Sequence, residues 1–409
     1  MAGTERRDVG GRGRDAVRVR PRNRKQLILE AAAARFLRQG YAGTAMTDIA
    51  ADLGVTSTSL YRHFPGKRAL LGAVLTAAMD VVSAAADEAR PDGFDAILRA
   101  LAAQALRHRG HPALWQREAR RLGDEGRLES GRRLLALRDV VRDALCAERG
   151  IAPADAAFLA ECALSLLGSV SYHQVTPPGG TLERQLYALA ERAARTVLPS
   201  RARQMTVVPG PRDVALDRFA RREQLILVAT RLFGERGYAA VGIEEVAAAA
   251  GIAGPSVYHH FTGKAELLAE IIERAGQWIR LYTTRALLEG STPEESLRLL
   301  LRSYAEFALD HGDLIAVSVT EVIHLPATEA AKYRAVQRDG ILGWAGLLRE
   351  ADPALGADAA RVTVQAVIMM VNDAVRIRGT QDPRGKAALV DDLVSVGVRV
   401  LLPEAAGLP

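Results

Sequence analysis

A stretch of 32 residues occurs twice in this chain, and this duplication constrains the fold more than any other feature. Residues 40–71 align with residues 237–268 without a gap, at a constant offset of 197. The residues that recur 197 positions later include glycines, aromatic residues and a lysine: Gly40, Tyr41, Ala50, Gly54, Ser59, Tyr61, His63, Phe64, Gly66, Lys67, Leu70 and Leu71. Because a match of this length at one offset indicates an internal repeat, the sequence predicts two related units of about 200 residues each.

The composition favours a globular, helical protein. Of the 409 residues, 49% are hydrophobic and only 5% are aromatic, and the abundance of alanine and leucine favours helices over strands. No apolar run is expected to reach the ~20 residues that span a bilayer, and no signal peptide is visible, so we expect a cytoplasmic protein without membrane contact. Cys146 and Cys162 lie in apolar helical patterns and are expected to be buried thiols rather than a disulfide or a redox switch.

The net charge of +6 is concentrated at the N-terminus. Residues 1–25 contain nine basic and three acidic residues. Residues 1–22 are rich in Gly, Arg and Pro and poor in large hydrophobic residues, which predicts a disordered basic arm. Its arginines could follow a minor groove or the phosphates of DNA, or they could simply be solvated.

Apolar residues at helical spacing, interrupted by Gly and Pro, predict helices throughout and no convincing strand. In the first unit the predicted helices span 24–39, 46–53, 57–64, 67–88, 93–109, 112–122, 127–149, 154–173 and 182–198. In the second unit, besides the repeated motif, they span 217–235, 264–288, 293–311, 313–325, 328–351, 357–378 and 386–402. The predicted domains are an arm (1–22), a helix-turn-helix domain (23–72), a helical domain (73–198), a linker (199–215), a second helix-turn-helix domain (216–269) and a second helical domain (270–409).

Each copy of the repeat contains two short helices joined by a glycine-containing turn, which is the pattern of a helix-turn-helix. The second helix of such a motif enters the major groove of double-stranded DNA, and it therefore needs polar residues outside and apolar residues inside. Leu60 and Phe64 form the predicted inward pair of the first copy, and Val257 and Phe261 form that of the second.

The polar residues around these helices are the candidate DNA contacts. Thr44 and Thr56 are plausible helix caps. Lys67 and Lys264 begin the following helix, where the ammonium group and the backbone N–H groups could both hold a phosphate. The candidate DNA-binding residues are Thr44, Thr56, Ser57, Thr58, Ser59, Tyr61, Arg62, His63 and Lys67 in the first copy, and Gly254, Pro255, Ser256, Tyr258, His259, His260 and Lys264 in the second.

Both segments resemble the DNA-binding domain of the TetR family of bacterial repressors. The shared pattern is a glycine-aromatic pair, an Ile-Ala or Val-Ala pair, a turn glycine, and then LYRHFPGKRALL or VYHHFTGKAELL. The resemblance covers about 50 residues of each unit. It implies an all-α chain of tandem TetR-like units, in which each three-helix DNA-binding domain precedes a helical domain for ligand binding and dimerisation. It also implies that the last two long helices of each unit form a four-helix bundle, and that a ligand changes the spacing of the DNA-binding domains.

The chain departs from the family pattern at several capping positions. Ser or Thr is usual at the positions of Ala45, Val241-Gly242 and Ala253, although Pro255 suits the first turn of a helix. Neither Ser57 nor Gly254 supplies the usual basic residue early in the recognition helix. The second domain has the weaker caps, so we expect the two domains to be unequal.

The duplication suggests a pseudo-dimer within one chain. In this hypothesis, helices 154–173 and 182–198 pack against helices 357–378 and 386–402. The alternative is a homodimer of chains with four DNA-binding domains. Because the two recognition helices differ in sequence, the operator should have unlike half-sites about one helical turn apart.

Polar or polarisable residues on otherwise apolar helices are the candidate ligand contacts: Trp115, Glu118, Tyr172, His173, Trp344, Met369, Asn372 and Asp373. They indicate either core packing or a pocket for an apolar molecule with a polar head, such as a lipid or an acyl thioester. We expect no cofactor, metal site or enzymatic activity, since no metal-ligand spacing or nucleophile–base pair is visible. The predicted function is a DNA-binding transcriptional regulator, a repressor released by its ligand. The alternative is a helical binding protein whose DNA-binding domains no longer bind DNA.

Overall fold

The computed structural model describes residues 24–175, 180–199, 220–379, 382 and 385–402. Within these ranges the secondary structure is helical and contains no strand, which confirms the predicted all-α class. The predicted arm, residues 1–22, lies outside the described residues. The predicted linker lies outside them as well, except for its first residue, Pro199.

The first unit is built from nine helices in the part of the chain that the structure describes. They are α1 (Arg24–Gln39), α2 (Met46–Asp52), α3 (Ser57–Tyr61), α4 (Lys67–Ala89), α5 (Phe94–Arg107), α6 (His111–Glu118), α7 (Gly123–Arg149), α8 (Pro153–Gly168) and α9 (Thr181–Ala194). Short 3-10 turns follow α4, α6 and α8, at Arg90–Asp92, Ala119–Arg121 and Ser169–Tyr172.

The second unit repeats this order. Its helices are α10 (Arg221–Arg236), α11 (Ile243–Ala249), α12 (Gly254–Val257), α13 (Lys264–Glu289), α14 (Pro293–Asp310), α15 (Gly312–Thr320), α16 (Ala327–Ala351), α17 (Ala357–Arg378) and α18 (Lys386–Leu401). A 3-10 turn at Val322–His324 follows α15, as Ala119–Arg121 follows α6. The two units therefore share their plan beyond the repeated motif.

Two compact heads stand at the start of the units. The first head comprises residues 24–71 and the second head residues 221–268, and the remaining helices form the body. In the first head, α1 buries one face through Ile28, Ala32 and Phe36. The helix ends at Gly40, whose φ of +73° is a conformation that favours glycine.

The last helices of the two units pack against one another in the body. α8 lies against α17, and α9 lies against α18, while α8 also packs on α9 and α17 on α18. Polar contacts cross this boundary: Gln185 Nε2 donates to the carbonyl oxygen of Ala359 at 2.7 Å, and Arg378 Nε donates to Glu161 Oε2 at 2.7 Å. The four helices thus bring the two units into one hydrophobic core.

The two heads are attached differently to this core. The buried residues of the first head form a cluster of their own, to which the body contributes Val74 and Leu75 from α4 and Leu114 from α6. Those of the second head, including Phe233 and Phe261, are continuous with the core of the body. The two cores are continuous because α10 packs along α15.

Two segments are long and apolar enough to cross a membrane by length and composition alone: Lys67–Asp92 and Pro153–Tyr172. The expectation that no apolar segment reaches this length was therefore wrong. Both segments pack against other helices of the protein, α4 on α5 and α7, and α8 on α7, α9 and α17. Core helices of globular proteins meet the same criterion.

Candidate nucleic-acid interface and internal cavities

The two recognition helices present a polar face to solvent and an apolar face to the head. Leu60 and Phe64 are buried, as predicted for the first copy, and Val257 and Phe261 are buried in the second. Tyr61 and Tyr258 are 52% and 56% exposed. The first of these helices is shorter than predicted, because α3 ends at Tyr61; α12 ends in the aligned region, at Val257.

The remaining candidate DNA contacts fall on the same exposed surface, apart from Thr44 and the two lysines. Arg62, His63, His259 and Pro255 are exposed. Pro255 occupies the first turn of α12, as expected. The other candidates are exposed or partly exposed around the two short helices: Thr56, Ser57, Thr58, Ser59, Gly254, Ser256 and His260.

Thr44 does not have the predicted role. It is 2% exposed, and its hydroxyl donates to the carbonyl oxygen of Gly40 at 2.8 Å. The residue that caps α2 is Ala45, whose backbone N–H donates to Asp48 Oδ2 at 3.0 Å. Thr56 does stand at the N-terminal cap of α3, but its side chain makes no capping hydrogen bond. Thr44 thus braces the turn inside the head.

Lys67 and Lys264 occupy equivalent, partly buried positions within their heads. Lys67 Nζ donates to the carbonyl oxygens of Tyr41 (2.8 Å) and Thr44 (2.7 Å) and lies 4.4 Å from the centroid of the Tyr41 ring. Lys264 Nζ donates in the same way to Tyr238 and Val241 and lies 4.0 Å from the Tyr238 ring. Both ammonium groups hold the end of the first helix of the head against the start of the next long helix. Their predicted phosphate contact would have to compete with these bonds.

A buried carboxylate connects each head to the body. Glu118, at the end of α6, accepts a hydrogen bond from the backbone N–H of Tyr41 at 3.0 Å. Glu321, 203 residues later, accepts one from the backbone N–H of Tyr238 at 3.1 Å. Their side chains are 4% and 0% exposed. Glu118, a predicted ligand contact, therefore links the body to the first head, and it lines neither of the two cavities described below.

The link between the body and the second head also includes a residue of the first unit. Arg120 donates to Glu321, and its guanidinium packs on Gly237, where an added Cβ would lie 2.7 Å from Arg120 Cζ. Gly237 also has a φ of +84°, so both the backbone conformation and the close approach require glycine. On the other side, Ile323 stands against Gly40 of the first head. Each unit thus touches the head of the other.

Each unit contains an internal cavity. The first, of about 210 Å³, lies between α4, α5, α6, α7 and α8. The second unit closes one side of it with Asp373, Arg376 and Ile377 from α17. The second cavity, of about 350 Å³, lies between α13, α14, α15, α16 and α17. Tyr172 of the first unit lines both cavities.

The predicted ligand residues divide between these cavities and other positions. Trp115 and Tyr172 line the first cavity, as does Asp373, although it belongs to the second unit. Trp344, Met369 and Asn372 line the second cavity. His173 lines neither, because its Nδ1 lies 3.1 Å from Arg109 Nη2 in the turn after α8.

The first cavity is apolar with a few polar groups. His108 and His111 stack with ring centroids 5.1 Å apart. Burial, with a smaller contribution from His108, lowers the pKa of His111 to about 4, so the ring is neutral at pH 7. Among the described residues, His111 Nδ1 has no hydrogen-bond partner. The hydroxyl of Tyr172 donates to Gln116 Oε1.

The second cavity is lined by aromatic residues and neutral polar groups. Trp278 stacks against both Tyr282 and Phe307, with ring centroids 5.4 Å apart in each pair. Tyr304 donates to Asn372 Oδ1 at 2.7 Å, and Gln337 donates to the Tyr333 hydroxyl at 3.0 Å. The side-chain oxygen of Gln365 is buried and has no hydrogen-bond partner among the residues that the structure describes.

The sequence interpretation missed several residues of these sites. Arg120 and Glu321 form the link that crosses between the units, and Tyr304, Gln337 and Gln365 contribute to the polar lining of the second cavity. The alignment of Glu118 with Glu321 at an offset of 203 was the available signal for the paired links. The lining residues had no such signal, because their helices align poorly between the units.

Comparison with known protein families finds three matched regions. The family described as bacterial regulatory proteins, tetR family, matches residues 28–74 and again residues 225–271. The family described as the tetracyclin repressor-like C-terminal domain matches residues 290–376.

Individual relatives match shorter parts of the chain. The HTH-type transcriptional repressor KstR2 of Rhodococcus jostii is 32% identical over 136 residues, which cover 31% of this chain and 62% of that protein. The HTH-type transcriptional activator FasR of Mycolicibacterium smegmatis is 33% identical over 92 residues, 22% of this chain and 42% of that protein. The chain thus spans about half the length of these curated relatives. A solved TetR-family transcriptional regulator from Bordetella parapertussis is 21% identical with a TM-score of 0.41, covering 46% of this chain and 97% of that one.

Proposed function

Because the chain belongs to the TetR family and carries two TetR-type units in tandem, we propose that it is a sequence-specific DNA-binding transcriptional regulator that responds to a small, largely apolar effector. The exposed polar faces of α3 and α12 carry this proposal. Each helix, together with the residues that directly follow it, presents a tyrosine, a histidine and further hydrogen-bonding groups beside a buried apolar pair. A helix of this kind fits the major groove and reads base edges there.

The packing of α8 and α9 against α17 and α18 supports an arrangement in which one chain acts as a pseudo-dimer. In a homodimeric regulator such a bundle would join two chains, whereas here it joins two units of the same chain. Buried bonds such as Arg378–Glu161 between units favour a fixed geometry. The two heads would then read two half-sites of double-stranded DNA about one helical turn apart. The half-sites would be unlike, because α3 and α12 differ in sequence.

The two cavities support effector binding inside the body. Their walls are mostly aliphatic and aromatic, and each contains a buried polar atom without a partner among the described residues. Buried polar groups are normally hydrogen-bonded, so such atoms favour a ligand with a polar end and an apolar remainder. A fatty acid, another lipid or an acyl thioester has this chemistry. An effector could reach the heads through Glu118, Glu321 and Arg120, which join the body to both of them.

We propose repression relieved by the effector as the direction of regulation. The similar KstR2 is named a repressor and the similar FasR an activator, so family membership alone leaves both directions possible. A ligand that changed the position of α6 or α15 would shift the buried carboxylates and with them the backbone of Tyr41 and Tyr238. The two recognition helices would then no longer match the spacing of the groove.

Gel retardation with DNA from upstream of the chain's own gene tests DNA binding. We expect retention that weakens as salt rises from about 50 to about 200 mM, since phosphate contacts release counterions. Tyr61→Ala with Arg62→Ala should reduce retention, and Leu128→Ala, which changes an exposed residue of the body, is the matched control. A protein that retains no upstream fragment but still binds fatty acids or acyl thioesters would be a helical binding protein instead.

A further inference from the structure

We infer that the two heads have unequal roles, with the first head carrying most of the affinity for DNA phosphates and the second head acting mainly as a fixed, weakly binding partner. This inference rests on the proposed function, because it concerns how the affinity for DNA is divided within one chain. The evidence for it is the different distribution of acidic and basic side chains on the DNA-facing surfaces of the two heads.

The two heads differ in charge. Residues 24–71 contain seven basic and three acidic residues, whereas residues 221–268 contain five of each. At four aligned surface positions of the motif the second head has the more negative or less basic residue: Glu244 for Thr47, His259 for Arg62, Ala265 for Arg68 and Glu266 for Ala69. The charge differences at all other aligned positions of the two heads sum to zero. The change is therefore concentrated on the helices that form the DNA-facing surface.

Glu266 lies at the first turn of α13, where the aligned helix of the first head has no acidic side chain. Its Oε2 accepts hydrogen bonds from the backbone N–H and the hydroxyl of Thr262, at 2.6 and 2.7 Å. These bonds hold the pKa of Glu266 below its usual range, so the carboxylate is ionised. The negative charge stands where a DNA phosphate would meet the positive end of the helix dipole. In the first head, the neutral Ala69 and the exposed Arg68 occupy this turn of α4.

Glu244 places a second carboxylate beside the recognition helix. It is exposed on α11, and its Cγ would lie 3.6 Å from a Cβ added to Gly254, the first residue of α12. A carboxylate beside the recognition helix repels DNA phosphates, because this interaction is only partly screened within a Debye length of about 10 Å. Thr47 holds the same position in the first head and is neutral.

The attachment of the heads agrees with this division. The first head has a hydrophobic cluster of its own, whereas the core of the second head continues into the body through α10 and α15. A head with a separate core can adjust to DNA with fewer changes in the rest of the molecule. The second head is held in place on the body and would mainly limit the orientation of the first.

Reciprocal exchange of the acidic positions tests the inference. One variant carries Thr47→Glu and Ala69→Glu, and the other carries Glu244→Thr and Glu266→Ala. Each substitution introduces the residue that the other head already tolerates at that position, and circular dichroism melts establish that both variants remain folded. Fluorescence anisotropy measures the affinity for the upstream fragment and for a mixed-sequence duplex long enough for both heads, at low and moderate salt.

We expect the first variant to bind both DNAs at least about tenfold more weakly, with a salt slope smaller by about one for each phosphate that the protein no longer neutralises. We expect the second variant to bind them more tightly, with a steeper salt slope. His259→Ala with His260→Ala should weaken binding less than Arg62→Ala with His63→Ala.

An affinity equal to that of the wild type in both exchange variants, or an equal weakening by the two double alanine substitutions, would overturn the inference and leave the proposed function standing. Failure of the wild type to bind either DNA would overturn both. The two failures are thus distinguishable in a single set of titrations.

Discussion

Lys67 and Lys264 show how a residue that reads as a DNA contact can instead hold its own domain together. Each ammonium group donates to two backbone carbonyl oxygens and lies over a tyrosine ring. Burial lowers the pKa of both groups. From sequence alone, a lysine at the start of a helix suggests a phosphate contact. The carbonyl groups that compete for this lysine belong to a turn more than 20 residues away, so the sequence around the lysine does not reveal them.

Lys67→Met tests this role, since methionine retains the apolar stem but has no donor. We expect the first head to lose about 2 kcal/mol of stability, because a hydrogen bond to a charged group contributes about 1.5–3 kcal/mol after its exchange with water. Lys264→Met should cost the second head a similar amount, given the matching distances. Hydrogen exchange of residues 40–71 and 237–268 measures both effects. Unchanged protection together with weaker DNA binding would restore the phosphate contact as the main role.

His111 and His173 make the stability of the protein depend on pH. Burial lowers the pKa of each to about 4 in the folded protein, against an ordinary value of 6.5. Between these values the unfolded chain binds more protons than the folded one, so stability rises with pH across this window. Stability should fall as the pH is lowered from about 6.5 towards 4. Thermal melts should show a lower Tm at about pH 5 than at about pH 7.5, and His111→Gln should reduce that difference. An identical pH dependence in the variant would show that His111 is not responsible.

At the scale of elements, the helical class, the two helix-turn-helix motifs and the inward-facing pairs could be predicted from sequence. These features depend on local spacing: Leu60 and Phe64, four residues apart, are both buried in the head, and Gly54 permits the turn before them. The cap at Ala45 and the burial of Thr44 could not be predicted. A threonine hydroxyl can form its hydrogen bond with a carbonyl oxygen of the preceding turn as well as with the first backbone N–H groups of the following helix, and the sequence does not distinguish the two. The position of Asp373 in the wall of the other unit's cavity depends on how α17 packs across the body, which local patterns do not contain.

The contact between α8 and α17 contains an ion pair that should contribute measurably to stability. Arg378 bonds Glu161 at 2.7 Å and Asp382 at 2.9 Å, with side-chain exposures of 15%, 12% and 1%. Removing one partner of a buried pair typically costs about 3–5 kcal/mol, because the other charge stays buried. We expect Arg378→Met to destabilise the protein by about 3 kcal/mol. A double-mutant cycle with Glu161→Gln measures the part that belongs to this pair.

An exposed pair on another long helix provides the control for that experiment. Arg285 and Glu289 on α13 form an ion pair 2.8 Å long, with side-chain exposures of 64% and 49%. Exposed pairs contribute little because water and salt screen them, so Arg285→Met should leave the unfolding free energy nearly unchanged. Equal effects of Arg378→Met and Arg285→Met on urea unfolding would show that the contact between α8 and α17 is weaker than the structure indicates.

At the scale of the whole molecule, the two units repeat one order of helices, but their sequences differ at equivalent positions. Glu118 and Glu321 correspond, but Arg120 corresponds to Ile323, so one crossed link is ionic and the other apolar. Because the two copies in one chain can diverge in sequence, residues at equivalent positions can acquire different functions. A homodimer cannot do so, because a single sequence must serve both subunits.

The packing of the two units predicts that one chain is the functional assembly. Light scattering in solution should give the mass of a single chain, 43.9 kDa, whereas a homodimer of chains would give twice that value. A protease site inserted among residues 200–219 extends this test, because it separates the units covalently without changing α8, α9, α17 or α18. After cleavage the two pieces should elute together at the mass of the intact chain, since their apolar helices and the Arg378–Glu161 bond hold them in one core. Arg378→Met should make the cleaved pieces separate at lower urea concentrations than the unsubstituted protein. Pieces that separate spontaneously in buffer would mean that the connection, and not the bundle, keeps the two heads in one molecule.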